Sequence, residues 1–483
     1  MQGTWTEDCW REKILRRSLP VSAELLARLA AKLEQGEDFP TDTPPKLCRV
    51  ISAFARIIAK YLPQTPADQL QHVGHLLTDV AAHLRFAERS RMTQTPWSMV
   101  QATEAFLKRH VGDTHHFLIR PQWTFNYGIV GDFPQVYRTE LGALSWIPLS
   151  EWEKLIGLDS DQKIFCISFP RSERLNAIWH VSWGHELGHI LVREWLQDEF
   201  DKLWRLEDGK IRTEIEKELS RNPPQFIAPL FKDTFIKSIA AQQTKQAMEI
   251  ARQGLEELIC DAVGVHLLGP AVLAFVCEFS ARFSPDESPL RCGSYPPWRY
   301  RIRLMVEACK EDFEPRTVIH DGRKFQYPGP EAHHYIDWLK EASSFVSTNK
   351  DKEILEGNIV TREAYRVIET NLRMGINQTL GHLRTPIAQY RLHDRIMAIN
   401  DLVQKLKKRL PPNEVGTWPH ASPARLEDIL NAAWAFRVAK CTTDPKWGTP
   451  DDHEEMFRLV LKAIEASYVH STFGPKLANG EPV

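Results

Sequence analysis

The pentapeptide His185, Glu186, Leu187, Gly188, His189 constrains this chain more than any other stretch. Ile178, Val181 and Trp183 precede it and Ile190, Leu191 and Val192 follow it, a pattern that predicts a buried helix. Residues four apart share one face of a helix, so His185 and His189 can both turn a ring nitrogen toward one tetrahedral ion. Glu186 lies one step round from His185, beside that ion rather than on it, where a carboxylate can take a proton from water. Three polar groups in an apolar helix are costly to bury unless something binds them. The pair therefore requires a third ligand from an element that packs on this helix.

That ligand does not follow directly in sequence. A third histidine six residues past His189, introduced by a glycine, is excluded because Trp195 and Val192 hold those places. The better candidate lies in residues 254–262, where Glu257 and Asp261 are four apart and point to the same side of a helix. Glu257 can ligate the ion while Asp261 accepts a hydrogen bond from the other nitrogen of a ligand imidazole. Glu256 is the rival ligand, but the residue four places on is Cys260, a poor orienter of imidazole. Leu255, Leu258, Ile259, Ala262 and Val263 make the segment apolar, so three carboxylates among them point to a polar purpose. Cys260 itself reads as a small core residue, and His266 is out of phase with Glu257 and reads as structural.

Composition bounds what such a site can serve. The 61 Lys and Arg nearly cancel the 63 Asp and Glu, which gives no global attraction to nucleic acid or to an anionic membrane. The N-terminus is charged and no apolar run is long enough to cross a bilayer. Eight cysteines without a Cys-x-x-Cys pair suit reduced thiols. The expectation is a cytoplasmic protein.

Along the chain, apolar residues at helical spacing predict a helix at 22–36, then others following Pro44 and Pro45, near Ala67, and at 97–110. Residues 117–130 and 163–169 alternate as strands, and the second of these strands offers an edge on which a peptide could lie extended. Helical patterns return after Pro223 and Pro224, at 270–283, 298–309, 332–346, 361–374, 385–410, 424–439 and 451–468, with a less regular segment at 312–330. The expected fold class is mainly α with a small β-sheet: a helical region at 1–112, a catalytic α+β core at 113–310 and a helical region at 311–483. His72, His75 and His83 read as packed or solvated imidazoles.

His-Glu-x-x-His followed on a later helix by Glu-x-x-x-Asp resembles the gluzincin metallopeptidases. Ser294, Tyr295, Pro296, Pro297, Trp298, Arg299, Tyr300, Arg301 and Ile302 look like the Ser/Thr-His-Pro-Pro-x-x-x-Arg-Ile segment of the CAAX prenyl endopeptidase and heat-shock membrane peptidase family. The resemblance covers roughly residues 163–306 and departs in two respects: Tyr295 stands where the family has His, and the family's transmembrane helices are missing. It implies a zincin-like core that holds one Zn2+ per chain through His185, His189 and Glu257, with Asp261 behind a ligand ring. Glu186 is then the general base, Tyr295 donates to the reacting carbonyl oxygen and Arg301 supports the site. The implied activity is hydrolysis of peptide bonds in a protein or peptide substrate. The helical flanks offer surface for a regulatory partner. The alternative is a regulatory or interaction protein whose zinc is structural or residual.

Overall fold

The computed structural model describes residues 7–159, 161–222, 232–284, 286, 295–320, 323–346, 357–416 and 420–478. Pro223, Pro224 and Ser294 lie outside them. The chain is mainly helical with a few short strands and divides into two compact units, residues 1–175 and 176–483. This grouping runs across both boundaries drawn from the sequence: the small sheet belongs with the N-terminal helices, and the C-terminal helices belong with the histidine motif.

In the first unit α1 (Glu7–Glu34), α2 (Thr43–Tyr61), α3 (Leu70–Arg89) and α4 (Trp97–Val111) precede the sheet. α1 begins well before the expected start at Ser22 and continues through Pro20. Leu19 is buried in line with Ala23, Leu26, Ala27, Ala30 and Leu33. Packing of that continuous face outweighs the backbone hydrogen bond that proline removes. β1 (His115–Gln122), β2 (Gly128–Val130) and β3 (Lys163–Pro170) form a sheet of order β1-β3-β2, with α5 (Phe133–Ala143) and α6 (Leu149–Leu155) in the connection.

The edge expected at β3 is not there. β1 pairs with β3 in parallel from Lys163 to Pro170, and β2 pairs antiparallel with Cys166 to Ser168 on the other side. β3 is a central strand, buried at every residue from Ile164 to Pro170, as strands covered on both faces are.

In the second unit α7 (Trp183–Arg221) and α8 (Lys232–Leu268) lie side by side. α7 runs far past the expected end near Leu196, because Ile211 and Ile215 stay buried beyond it. α9 (Pro270–Ser280), α10 (Trp298–Ala308), the β4 (Arg316–His320) and β5 (Arg323–Tyr327) hairpin, α11 (Gly329–Val346) and α12 (Ile359–Gly381) follow. The hairpin occupies the segment expected to be irregular. Next come α13 (Ile396–Lys407), the short strands β6 (Glu414–Val415) and β7 (Ser422–Pro423), α14 (Leu426–Thr443) and α15 (Pro450–Ala478).

Two contacts fix α7 and α8 from outside. α12 packs on both, with Gly375 against Ile259 and Trp195 and Gly254 against Ile368. The fully buried Asn431 of α14 donates to the Leu268 carbonyl at 2.8 Å and accepts from the Ala271 amide at 3.1 Å. That pair satisfies backbone groups left over where α8 gives way to α9.

Candidate metal centre

The site begins with how closely two helices approach. A methyl group on Gly188 would sit 2.6 Å from the Cys260 Cα, and one on Gly184 would sit 3.1 Å from the Gly264 Cα. Two glycines four apart on α7 thus meet Cys260 and Gly264, four apart on α8, with no room for a side chain on the α7 side. The start of α7 lies against the end of α8, so the helices are antiparallel. This close seam lets short side chains span between them: His185 and His189 from α7, and Glu256, Glu257 and Asp261 from α8.

Their geometry is ordered. His185 Nε2 lies 3.5 Å from Glu257 Oε2 and His189 Nε2 lies 3.8 Å from Glu257 Oε1. His185 Nδ1 is 2.8 Å from Asp261 Oδ1, and His189 Nδ1 is 3.0 Å from Glu256 Oε1. Each ring therefore has its outer nitrogen on a carboxylate and its inner nitrogen facing Glu257. The inner separations exceed a good hydrogen bond of roughly 2.7–3.2 Å. They approach the edge of a tetrahedron with bonds of about 2.0–2.1 Å, which is roughly 3.3 Å. The ligand atoms of His185, His189 and Glu257 all lie within 4.8 Å of one another. These three residues fit a zinc ion on distance and on donor type.

Arg301 closes the back of the site. Its Nε donates to Asp261 Oδ2 and its Nη2 to Asp261 Oδ1, both at 2.7 Å, and its Nη1 lies 3.2 Å from Glu257 Oε2. The guanidinium also rests 4.6 Å from the Trp298 ring centre. A planar fork held by two carboxylates is a positioning device, so Arg301 orients Asp261 and Glu257.

Glu186 is buried, and its Oε2 meets no hydrogen-bond partner among the described residues. Such an oxygen in a helix interior is available to a water or substrate proton. Tyr295 is half-exposed, yet the charge of Glu257 is the first cause that raises its hydroxyl pKa, ahead of burial. Its phenol is therefore within the field of the site.

Charge follows the same layout. Burial pushes Glu257 up, but Arg301 and the two imidazoles outweigh it and hold the carboxyl at about 2. Burial likewise pushes Asp261 up and is outweighed by Arg301 and His185, so Asp261 ends below its ordinary value. Burial would lower His185, yet Asp261 and Glu257 raise it to about 10. His189 is raised against burial by Glu256 and Glu257. Glu186 moves the other way from its neighbouring carboxylates: burial raises it, and the nearby imidazoles only partly offset that. The cluster is a demand for positive charge on the inner nitrogens, with one carboxylate set apart as a stronger base.

Sequence reasoning weighed Glu256 only as a rival ligand. The structure gives it the outer nitrogen of His189, leaving Glu257 alone between the two inner nitrogens. The signal was present: two imidazoles need two outer partners, and adjacent glutamates on one helix diverge by about 100°. The glycine seam was also missed, since Gly184 and Gly188 carry no chemistry of their own.

A second cluster of similar residue types stands in the first unit, where ligand atoms of Asp42, Glu104 and His116 lie within 4.8 Å of one another. Lysines already occupy it. Lys46 Nζ is 2.7 Å from Asp42 Oδ2 and 3.3 Å from His116 Nε2, and Lys108 Nζ is 2.9 Å from Glu104 Oε1. Thr43 donates to Glu104 at 3.0 Å. Burial first, then Lys46 and Lys108, lower the His116 pKa to about 4.

No protein-family model matches the chain, and neither does any curated protein or any solved structure.

Proposed function

We propose that this chain is a zinc-dependent endopeptidase of the gluzincin kind, acting on a protein or peptide substrate. One observation carries the reading: the inner nitrogens of His185 and His189 converge on Glu257 while carboxylates hold both outer nitrogens. His185, His189 and Glu257 would hold the ion. Zinc supplies Lewis acidity when bound, polarising a carbonyl and making water nucleophilic at neutral pH.

The chain's own residues do the rest. Asp261 and Glu256 fix the ring orientations by accepting from the outer nitrogens, so that the inner nitrogens face Glu257, where they would exchange a proton for the ion. Arg301 fixes Asp261 and Glu257 in turn. Glu186 Oε2, buried and without a partner among the described residues, takes the proton of the attacking water and delivers it to the departing amine. Its raised pKa suits both transfers. Tyr295 donates its phenol hydrogen to the carbonyl oxygen as charge develops there.

No helix of the described residues is long and apolar enough to cross a membrane. We place the activity in the cytoplasm, on substrates reached from water.

The test separates base from ligand. Glu186→Gln retains zinc at the wild-type ratio and lowers cleavage of an unfolded protein substrate by about 100-fold or more. Zinc by elemental analysis and new amino termini by mass spectrometry are the two readouts. A Glu186→Gln protein that has lost its zinc, or that still cleaves at the wild-type rate, overturns the assignment.

A further inference from the structure

α1 has two apolar faces, and among the described residues only one of them is covered. Leu19, Ala23, Leu26, Ala27, Ala30 and Leu33 are buried in the first unit. On the opposite side Trp10, Ile14, Val21, Leu25 and Leu29 are 44–59% exposed. They recur at steps of four and seven, which places them in one stripe about 28 Å long at 1.5 Å per residue. These five are a quarter of the twenty exposed large apolar residues among the described ones, a concentration that marks an interaction surface rather than scattered surface residues.

Four of the stripe's five residues reverse onto one another. About the point midway between Leu19 and Pro20, Trp10 is the counterpart of Leu29, Ile14 of Leu25 and Ser18 of Val21. A two-fold contact between identical helices running in opposite directions requires this symmetry, because the same patch must complement itself. The charges agree. Lys13, Arg17 and Glu24 border one side of the stripe. In the antiparallel register Glu24 of a second copy falls midway between Lys13 and Arg17 of the first, and the reciprocal contact forms at the other end. Glu24 also pairs with Arg28 on its own helix at 2.9 Å.

We infer that α1 is a self-association surface, which pairs antiparallel with α1 of a second copy about a two-fold axis near Leu19 and Pro20. An anionic lipid surface would use the same apolar stripe, but it has no need of the reversal symmetry and would repel Glu24. One helix pair is a small interface, so the dimer is reversible and concentration-dependent, with dissociation in the roughly micromolar range.

Sedimentation of the full chain across about 1–100 µM tests this, and a monomer-to-dimer shift is expected. Leu25→Asp leaves the chain monomeric. In case that variant unfolds, Glu24→Arg weakens the dimer from an exposed position, and Arg17→Glu added to it restores the pairing. In a Cys9→Ser, Cys292→Ser, Cys441→Ser background, a short bis-maleimide links copies through Ser18→Cys but not through Leu29→Cys. A chain that stays monomeric throughout, a dimer unaffected by Leu25→Asp, or equal linking at both cysteines overturns the inference. So does a monomer that floats with phosphatidylserine vesicles, which would reassign the stripe to lipid.

Discussion

The two clusters of histidine and carboxylate differ less in geometry than in what surrounds them. Around Asp42, Glu104 and His116 two lysines are already in contact with the acids, and the imidazole is driven toward its neutral form. Around His185, His189 and Glu257 a cation, Arg301, stands behind the carboxylates, and the imidazoles are driven the other way. Three donors within reach of one another are thus not sufficient for a metal site. What matters is whether the fold has already supplied the positive charge. In the first unit it has, with ammonium groups; in the second it leaves a deficit at the inner nitrogens.

The largest expected effect tests that contrast directly. Glu257→Ala lowers zinc affinity by about 100-fold or more, whereas Glu104→Ala leaves the metal content of the chain unchanged. Competition with a chromogenic chelator measures both, and zinc lost in the Glu104 variant would break the comparison. A smaller effect tests the outer partners: Glu256→Gln keeps a hydrogen-bond acceptor on His189 but removes its charge, and weakens zinc binding by about tenfold. An unchanged affinity would mean that His189 needs no anion behind it.

The smallest effect belongs to the first unit. His116 takes a proton near pH 6.5 when unfolded but only near 4 when folded. Between those values the unfolded chain binds more protons, so stability falls as pH drops through that window and is restored above it. The loss is on the order of 1 kcal/mol after screening. Hydrogen exchange of the β1 amides at pH 7 and pH 4.5 reads it, and His116→Gln flattens the difference. A wild-type β1 that is equally protected at both values removes the electrostatic account of this cluster.

What was legible in the sequence was periodicity. The His185 helix, the apolar segment around Glu257 and most helices of the second unit follow from residues recurring at helical spacing, and Glu257 and Asp261 stand out for the same reason. What was not legible depends on register between elements. Glu256 acquires its partner only once α7 and α8 are set side by side, and β3 becomes a central strand only once β1 and β2 flank it. α5 and α6 are short, and β4 and β5 lie in a polar stretch, so local pattern gave them no signal. α1 hid its first half behind Pro20, where burial of Leu19 rather than propensity decides.

The glycine seam sets the register of the two halves of the site locally, through contact between backbones at Gly184, Gly188, Cys260 and Gly264. The stretch of α7 and α8 leading away from the histidines is therefore not the ruler that aligns them. Changing its length leaves that register in place and costs the burial of residues farther along, such as Ile211, Ile215 and Ile236. The fold in this sense separates what must be kept to the ångström from what is held only by burial.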